Sequence, residues 1–418
     1  MKVFFLSGLY PKGSEQYYAS KLKKGALANP SNVYQWGIID GLLSNGIDLE
    51  ICSFPFLPTF PGGYRELRSK EEALVVSGRV MGRAVSYMTI AGCKEFSIIN
   101  SAKKYIRAWR ENVKSDEVGV ILIYSLYGPF LKAAIEEAAF QKNIKVCPIA
   151  TDLFISSVDV LKEYPFFKKI QGYFEYRMIK EGLENADTFV LLARGMQKFI
   201  PKAIDNHVIV EGILACDYSR PRPKVSTIEK LLLYTGSLGI HTSVKELVDA
   251  FLLTSDPKFR LMICGSGYYE SYIRQKAEID NRILFKGSVS REQAVLFQKT
   301  ATLLINPRLP SIPDTPYSFP SKTMEYLTSG TPMIGYRLCG IPDEYYEYFY
   351  IPEDDSIESL ARLISTTLNK PQEELDARAA ASWRFIVNNK NAKMQVNKII
   401  THFEALFSKD NNQTEMHL

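Results

Sequence analysis

The stretch "YSFPSKTMEYLTSGTPMI", residues 317 to 334, gathers Ser318, Phe319, Pro320, Ser321, Lys322 and Glu325 at the start of a short helical pattern. Pro is tolerated in a first turn, where the N–H groups of a helix lack partners in the helix itself. Those N–H groups, the positive end of the helix dipole and the Lys322 ammonium together suit an anion such as a phosphate. Glu325, about one turn further in, is an acceptor-only group that can take two hydrogen bonds from a vicinal diol such as a ribose. The same residues also fit a plainer arrangement, with Ser318 as a cap and Lys322 and Glu325 as an exposed i,i+3 ion pair. The local sequence leaves both open.

Other motifs narrow the chemistry. The loop "SGLYPKGSEQYY" has Gly8 and Gly13 at a spacing that does not fit G-x-G-x-x-G, which disfavours a nicotinamide-type dinucleotide site. "ICGSGYYESYI" sets Gly265 and Gly267 after a strand-like run, which suits either the edge of a nucleotide pocket or a tight strand-to-helix turn. No G-x-x-x-x-G-K-[ST] loop occurs, which argues against a standard nucleoside triphosphatase. The histidines His207, His241, His402 and His417 are dispersed without ligand spacing, so no metal site is expected.

The elements that must position these residues read as α/β. Apolar runs of strand length alternate with helical segments, as in parallel sheets buried on both faces. In the first half the expected strands are "KVFFLSG", "IDLEICSF", "VGVILIYS", "IKVCPIA", "DTFVLLA" and "HVIVEG", a complete six-stranded sheet. Between the first two, "NPSNVYQWGIIDGLLSNG" is a helix in which Asn29 can cap, Pro30 fits the first position and Gly46 supplies a left-handed stop. "CDYSRPRPKVSTIEK" interrupts the alternation and is the expected linker, residues 213–230. The second set of strands is "LLLYTG", "FRLMICG", "RILFKG", "ATLLINP", "TPMIGY" and "FYIPED". "SREQAVLFQKTA" opens with Ser290 and Gln293 at capping-box spacing. The chain should end in a helix over 392–410 that packs back on the first domain, then a polar tail, frayed from about Lys409 and free over 411–418.

Composition agrees with a folded chain. The 418 residues suggest two domains, and 46% hydrophobic with 23% charged residues is globular. A net charge of +5 argues against a dedicated nucleic-acid binder. The six cysteines form no C-x-x-C pair and read as reduced core residues of a cytoplasmic protein. The N-terminal apolar run is too short and too weakly charged for a signal peptide, and no run is long enough to span a bilayer. Residues 161–180, "LKEYPFFKKIQGYFEYRMIK", mix aromatic and basic side chains in a way that fits either a core-facing amphipathic helix or one resting on a membrane surface.

From about residue 231 to 395 the sequence resembles the retaining GT-B glycosyltransferases of family 4, in particular the bacterial branch that assembles capsular and exopolysaccharides. The carriers are "YTGSLGIHTSVKELVDAF", "RLMICGSG", "RILFKGSVSREQAVLFQKTATLLINPR", "YSFPSKTMEYLTSGTPMI" and "GIPDEYYEYFYIPED", in the family's order and spacing. The first half matches more loosely, through "NPSNVYQWGIIDGLLSNG", "IATDL" and "VIVEGI". The resemblance implies two doubly wound, Rossmann-like domains facing a central cleft, with an acceptor-binding domain over 1–212 and a nucleotide-sugar domain over 231–391. It implies a UDP- or GDP-linked donor as substrate, no cofactor, a glycan or lipid-linked glycan acceptor, and a cytoplasmic enzyme able to touch the inner face of the plasma membrane. On the donor side it points to Gly236, Ser237, Gly265, Gly287 and residues 317–321, with Glu325 matching the ribose-binding member of the family's pair of glutamates.

The chain also departs from that pattern. Tyr317 stands where the first glutamate of the pair belongs, and Ser237 and Thr242 stand where many relatives place an Arg and a Lys on the diphosphate. Arg308 and Lys322 are the expected replacements, helped by backbone N–H groups near Gly236 and Ser237. Asp152 is the candidate for contact with the reacting sugar or the acceptor, with a helix cap as its alternative role. A nucleotide-sugar 2-epimerase of the same architecture and a catalytically degenerate binding homologue are the competing readings.

Overall fold

The structure is a computed structural model that describes residues 1–24, 27, 29–151, 166–214, 229–313 and 315–415. The chain divides into two compact units, one of Met1–Ala215 with Ala392–Leu418 and the other of Cys216–Asn391.

In the first unit β1 (Lys2–Ser7), β2 (Asp48–Ser53), β3 (Glu72–Val76), β4 (Arg79–Ala84), β5 (Gly119–Tyr124), β6 (Ile144–Ala150), β7 (Phe189–Leu191) and β8 (His207–Ile209) form one sheet. Their order is β3-β4-β2-β1-β5-β6-β7-β8, parallel except for the β3–β4 pair. Alternation along β1 shows why the sheet is covered on both faces: Phe4 and Leu6 belong to one core, Val3 and Phe5 to the other. The first core takes Ile98, Ala102 and Ile106 of helix Lys94–Arg110 and Phe130 and Leu131 of helix Gly128–Ala138. The second takes Trp36, Ile39 and Leu42 of helix Asn29–Ser44 with Val396, Ile399 and Phe403 of helix Ala392–Glu415.

All six expected strands form here, but the sheet has eight. The additional pair turns at Ser77 and Gly78, both at positive φ (49° and 77°), as a two-residue hairpin requires. Leu74 and Val76 face inward while Val75 and Val80 are exposed, so this pair lacks the continuous apolar run by which the others are recognised. Gly46 ends helix Asn29–Ser44 at φ 74°. The final helix continues past the expected fraying point at Lys409, to Glu415, since "SKDNNQTE" contains no Gly or Pro to stop it. Cys52, Cys147 and Cys264 are buried as expected, whereas Cys93 and Cys339 are exposed, correcting the reading of all six as core residues. Among the described residues no helix is long and apolar enough to cross a membrane.

In the second unit β9 (Lys230–Thr235), β10 (Phe259–Cys264), β11 (Ile283–Gly287), β12 (Leu303–Asn306), β13 (Met333–Gly335) and β14 (Phe349–Tyr350) are the six expected strands. They run in parallel in the order β11-β10-β9-β12-β13-β14. The order reverses between β9 and β12, and the crevice beyond the carboxyl ends of such strands is where doubly wound sheets bind ligands. The capping box at Ser290 and Gln293 forms, each side chain bonding the other residue's backbone N–H.

Helix Asn29–Ser44 meets the C-terminal helix at Gly41, where a Cβ would lie 2.3 Å from Val396 Cγ2 and 2.5 Å from the Ala392 carbonyl. Asn45 Nδ2 donates to the Lys393 carbonyl (3.0 Å) beside this contact. Gly41→Val should therefore force the two helices apart and destabilise the first unit by about 1–3 kcal/mol, read as a lower calorimetric melting temperature.

Candidate functional site

The loops that follow β9 and β10 depend on glycine. Gly236, directly after β9, sits at φ 154° and its N–H donates to the Cys264 carbonyl (2.8 Å). Gly265, directly after β10, sits at φ 150° and donates to the Gly287 carbonyl (2.8 Å). A Cβ on Gly265 would lie 1.8 Å from the Gly236 carbonyl oxygen, so the two turns nest only because Gly265 has no side chain. A Cβ on Gly236 would in turn lie 2.0 Å from Lys322 Cε and 2.3 Å from its Nζ. Gly236 is the seat of the Lys322 side chain.

Lys322 belongs to helix Ser321–Thr328, which follows a 3-10 turn over Thr315–Tyr317. The helix starts at Ser321, with Pro320 as its cap, so the cap is not Ser318 as the plainer reading had it. A proline cap has no side-chain acceptor, and no side chain of the cap bonds the first turn. In front of that turn lies a pocket of about 240 Å³. Ser318, Phe319, Pro320, Ser321 and Lys322 form one side of it, Asn306 and Arg308 come from the end of β12, and Tyr234, His241 and Thr242 from β9 and the loop beyond. Arg308 is steered by its Nε, which donates to Oγ1 of the buried Thr315 (3.0 Å). The two loops are tied together where the Leu309 N–H donates to Ser243 Oγ (3.2 Å).

Glu325 lies on the same helix, three residues beyond Lys322, and its Oε1 accepts from Gln298 Nε2 (2.5 Å). Gln298 is fully buried in helix Arg291–Thr300 and also donates to Thr235 Oγ1 (3.0 Å). Tyr326 completes the clamp, its hydroxyl accepting from the Thr235 N–H (3.0 Å) and donating to the Thr235 carbonyl (3.1 Å). The helix that carries Lys322 and Glu325 is thus bolted to the last residue of β9, directly through Tyr326 and through Gln298 by way of the Glu325 carboxylate. Burial pushes the Lys322 pKa down from the ordinary lysine value, and Arg308 adds to the effect, while Glu325 opposes it. Tyr234, which donates to the Ser237 carbonyl (2.7 Å), is pushed up to about 12 by burial and so stays a phenol.

Of the residues expected from the sequence, Arg308, Lys322, Ser318, Phe319, Pro320 and Ser321 share one pocket. The exposed Lys322–Glu325 pair does not form in the expected way, since Lys322 packs on Gly236 and Glu325 engages Gln298. Gly236, Ser237, Gly265, Gly287 and Glu325 are not among the lining residues: Gly236 leaves the space that Lys322 fills, Gly265 packs on the Gly236 carbonyl, and Gly287 ends β11 and accepts the Gly265 N–H. Ser237 contributes its carbonyl to Tyr234. Tyr317 closes the 3-10 turn outside the pocket lining, and Asp152 lies outside the described residues. Sequence reasoning missed Tyr234, His241, Asn306 and Gln298 as site residues. The available signal for Tyr234 and Asn306 was their position at the carboxyl ends of the two strands flanking the reversal of strand order.

Residues 219–383 match the family model described as glycosyl transferases group 1. No curated protein sequence matches the chain. Solved structures match along nearly its full length. The sucrose-phosphate synthase of Thermosynechococcus elongatus is 14% identical, covering 98% of this chain and 100% of that one at a TM-score of 0.60. A trehalose-6-phosphate protein of E. coli bound with UDP-2-fluoro glucose is 9% identical, with 96% and 98% covered and a TM-score of 0.59. The catalytic domain of starch synthase IV of Arabidopsis thaliana, bound to ADP and acarbose, is 10% identical, with 98% and 99% covered and a TM-score of 0.58. The likeness is one of fold: the two Rossmann-like sheets match those of GT-B glycosyltransferase structures.

The contrast between two glycines tests the packing of these loops. Gly265→Ala combines a strained φ with an impossible contact and should cost about 3 kcal/mol or more. Gly287→Ala meets nothing within 4 Å at φ 65°, and thermal unfolding should show a loss of only about 1–2 kcal/mol. The buried ammonium gives a second expectation. Between the depressed folded pKa of Lys322 and the ordinary value of 10.5, the unfolded chain holds more protons, so stability rises with pH across that window. Lys322→Met should abolish this alkaline slope and raise stability at neutral pH by about 1 kcal/mol, as measured by urea titration at several pH values.

Proposed function

We propose that the chain is a retaining glycosyltransferase that moves a sugar from a UDP- or GDP-linked donor to a lipid-linked glycan acceptor during polysaccharide assembly. The observation that carries this reading is the convergence of Arg308, Lys322 and the first turn of helix Ser321–Thr328 on one pocket at the β9/β12 crevice, within the segment matching the group 1 family model. Support comes also from the similar folds bound with UDP-2-fluoro glucose and with ADP.

In this reading the pocket takes the donor diphosphate. Arg308 and Lys322, with the helix N–H groups, neutralise the charge that grows on the departing phosphate, usually the largest contribution to such catalysis. Desolvation, which penalises Lys322 when the pocket has no anion, strengthens its attraction to one that enters. Glu325 has one oxygen committed to Gln298, and its other oxygen is the acceptor for the ribose diol. The acceptor hydroxyl attacks the anomeric carbon from the face that the diphosphate leaves, and its proton passes to the departing phosphate oxygen. No protein nucleophile and no metal is required by this route. The acceptor is assigned to the unit of Met1–Ala215. Contact with a membrane surface is part of the proposal, supported by Tyr173 and Phe174, which are 62% and 59% exposed on helix Phe166–Asn185.

The test is calorimetry with a panel of UDP- and GDP-sugars. Glu325→Ala should weaken the bound donor at least about tenfold, the worth of one to two hydrogen bonds to a charged group. Unchanged affinity would refute the site. Conversion of donor without acceptor would instead identify an epimerase, and a product of inverted anomeric configuration would exclude retention.

A further inference from the structure

We propose that His241 is a donor-binding residue whose protonation completes the diphosphate site, so that binding of a nucleotide sugar takes up a proton. This rests on the reading of the pocket given above.

His241 lines the same pocket as Arg308 and Lys322 but enters it from a different element, the short 3-10 turn Ile240–Thr242 beyond β9. That turn is held at both sides of the histidine. Thr242 Oγ1 donates to the Gly239 carbonyl (2.6 Å), and the buried Ser243, at φ 54°, accepts the Leu309 N–H on its Oγ. The imidazole itself is exposed. A fixed turn carrying an accessible titratable ring at the rim of a cationic pocket is suited to grip an anion that has already entered.

The charges around it make its contribution matter. The groups it shares the pocket with are Tyr234 from β9, Thr242 from its own turn, Asn306 and Arg308 from the end of β12, and Lys322 from the helix. None of these lining groups is a carboxylate, and Glu325 lies one turn further along the helix. Arg308 is a permanent cation, whereas both burial and Arg308 work against the charge on Lys322. The diphosphate of a nucleotide sugar carries two negative charges and does not titrate near neutrality. It therefore meets one assured cation and one penalised cation, and an imidazolium supplies a further one. Imidazole changes charge between about pH 5 and 8. An anion that stabilises the imidazolium must, by reciprocity, bind more tightly where the ring is protonated.

The experiment is isothermal calorimetry on the full chain with UDP-glucose, UDP-N-acetylglucosamine and GDP-mannose, at about pH 6 and about pH 8 and in buffers of different ionisation enthalpy. The wild-type protein should bind its preferred donor about tenfold more tightly at the lower pH, with net proton uptake. His241→Gln should bind weakly and equally at both values, and His241→Arg tightly and equally at both. The inference is overturned if wild-type binding is independent of pH, or if His241→Gln keeps the wild-type slope, which would assign the proton to Lys322. Failure of all three donors to bind would overturn the diphosphate reading itself, and the role of His241 with it.

Discussion

The contact on which the site depends is between two backbones. The Gly236 carbonyl approaches Gly265 more closely than any Cβ allows, and Gly236 in turn leaves the space that the Lys322 side chain fills. A side chain at either position would lift the loop beyond β9 or eject the ammonium. The lysine that lines the pocket is thus admitted by the space that Gly236 leaves.

A buried cation is costly, and the surrounding architecture shows how the cost is carried. The helix bearing Lys322 is held to Thr235 directly by the neutral hydroxyl of Tyr326, and indirectly by Gln298, which bonds both Thr235 and the Glu325 carboxylate. Glu325 takes part in that bolt, one oxygen tied to Gln298. Such preorganisation avoids reorientation when charge develops in a reaction.

The sheet topology explains why these residues meet at all. β9 and β12 are adjacent although two βα units separate them in the chain, and the reversal of strand order between them opens a crevice at their carboxyl ends. Tyr234 at the end of β9 and His241 in the turn beyond it are distant in sequence from Arg308, which follows β12, yet all three line one pocket. The first unit repeats the doubly wound plan, extended at one edge by the β3–β4 hairpin.

Each strand with a continuous apolar run was legible in the sequence, because burial on both faces leaves no other composition open to it. The capping box at Ser290 and the stop at Gly46 were legible for an equally local reason: the backbone geometry of a helix end selects the residue. The polar cluster at 318–325 was visible as a helix start, though its cap proved to be Pro320. The β3–β4 pair was not legible, since alternate exposure of Val75 and Val80 hides an edge pair among polar residues. Nor could sequence distinguish Gly236 and Gly265, where no Cβ fits, from Gly287, where a Cβ would meet nothing within 4 Å. What the sequence by itself determined was the set of elements and the chemical types available near each helix start. Only the tertiary structure decided that Lys322 turns to Gly236 rather than to Glu325, that Gln298 holds Glu325, and that His241 and Arg308 line one pocket. Those choices depend on the packing of three loops against one another, and distances across a fold are not written in any local run of residues.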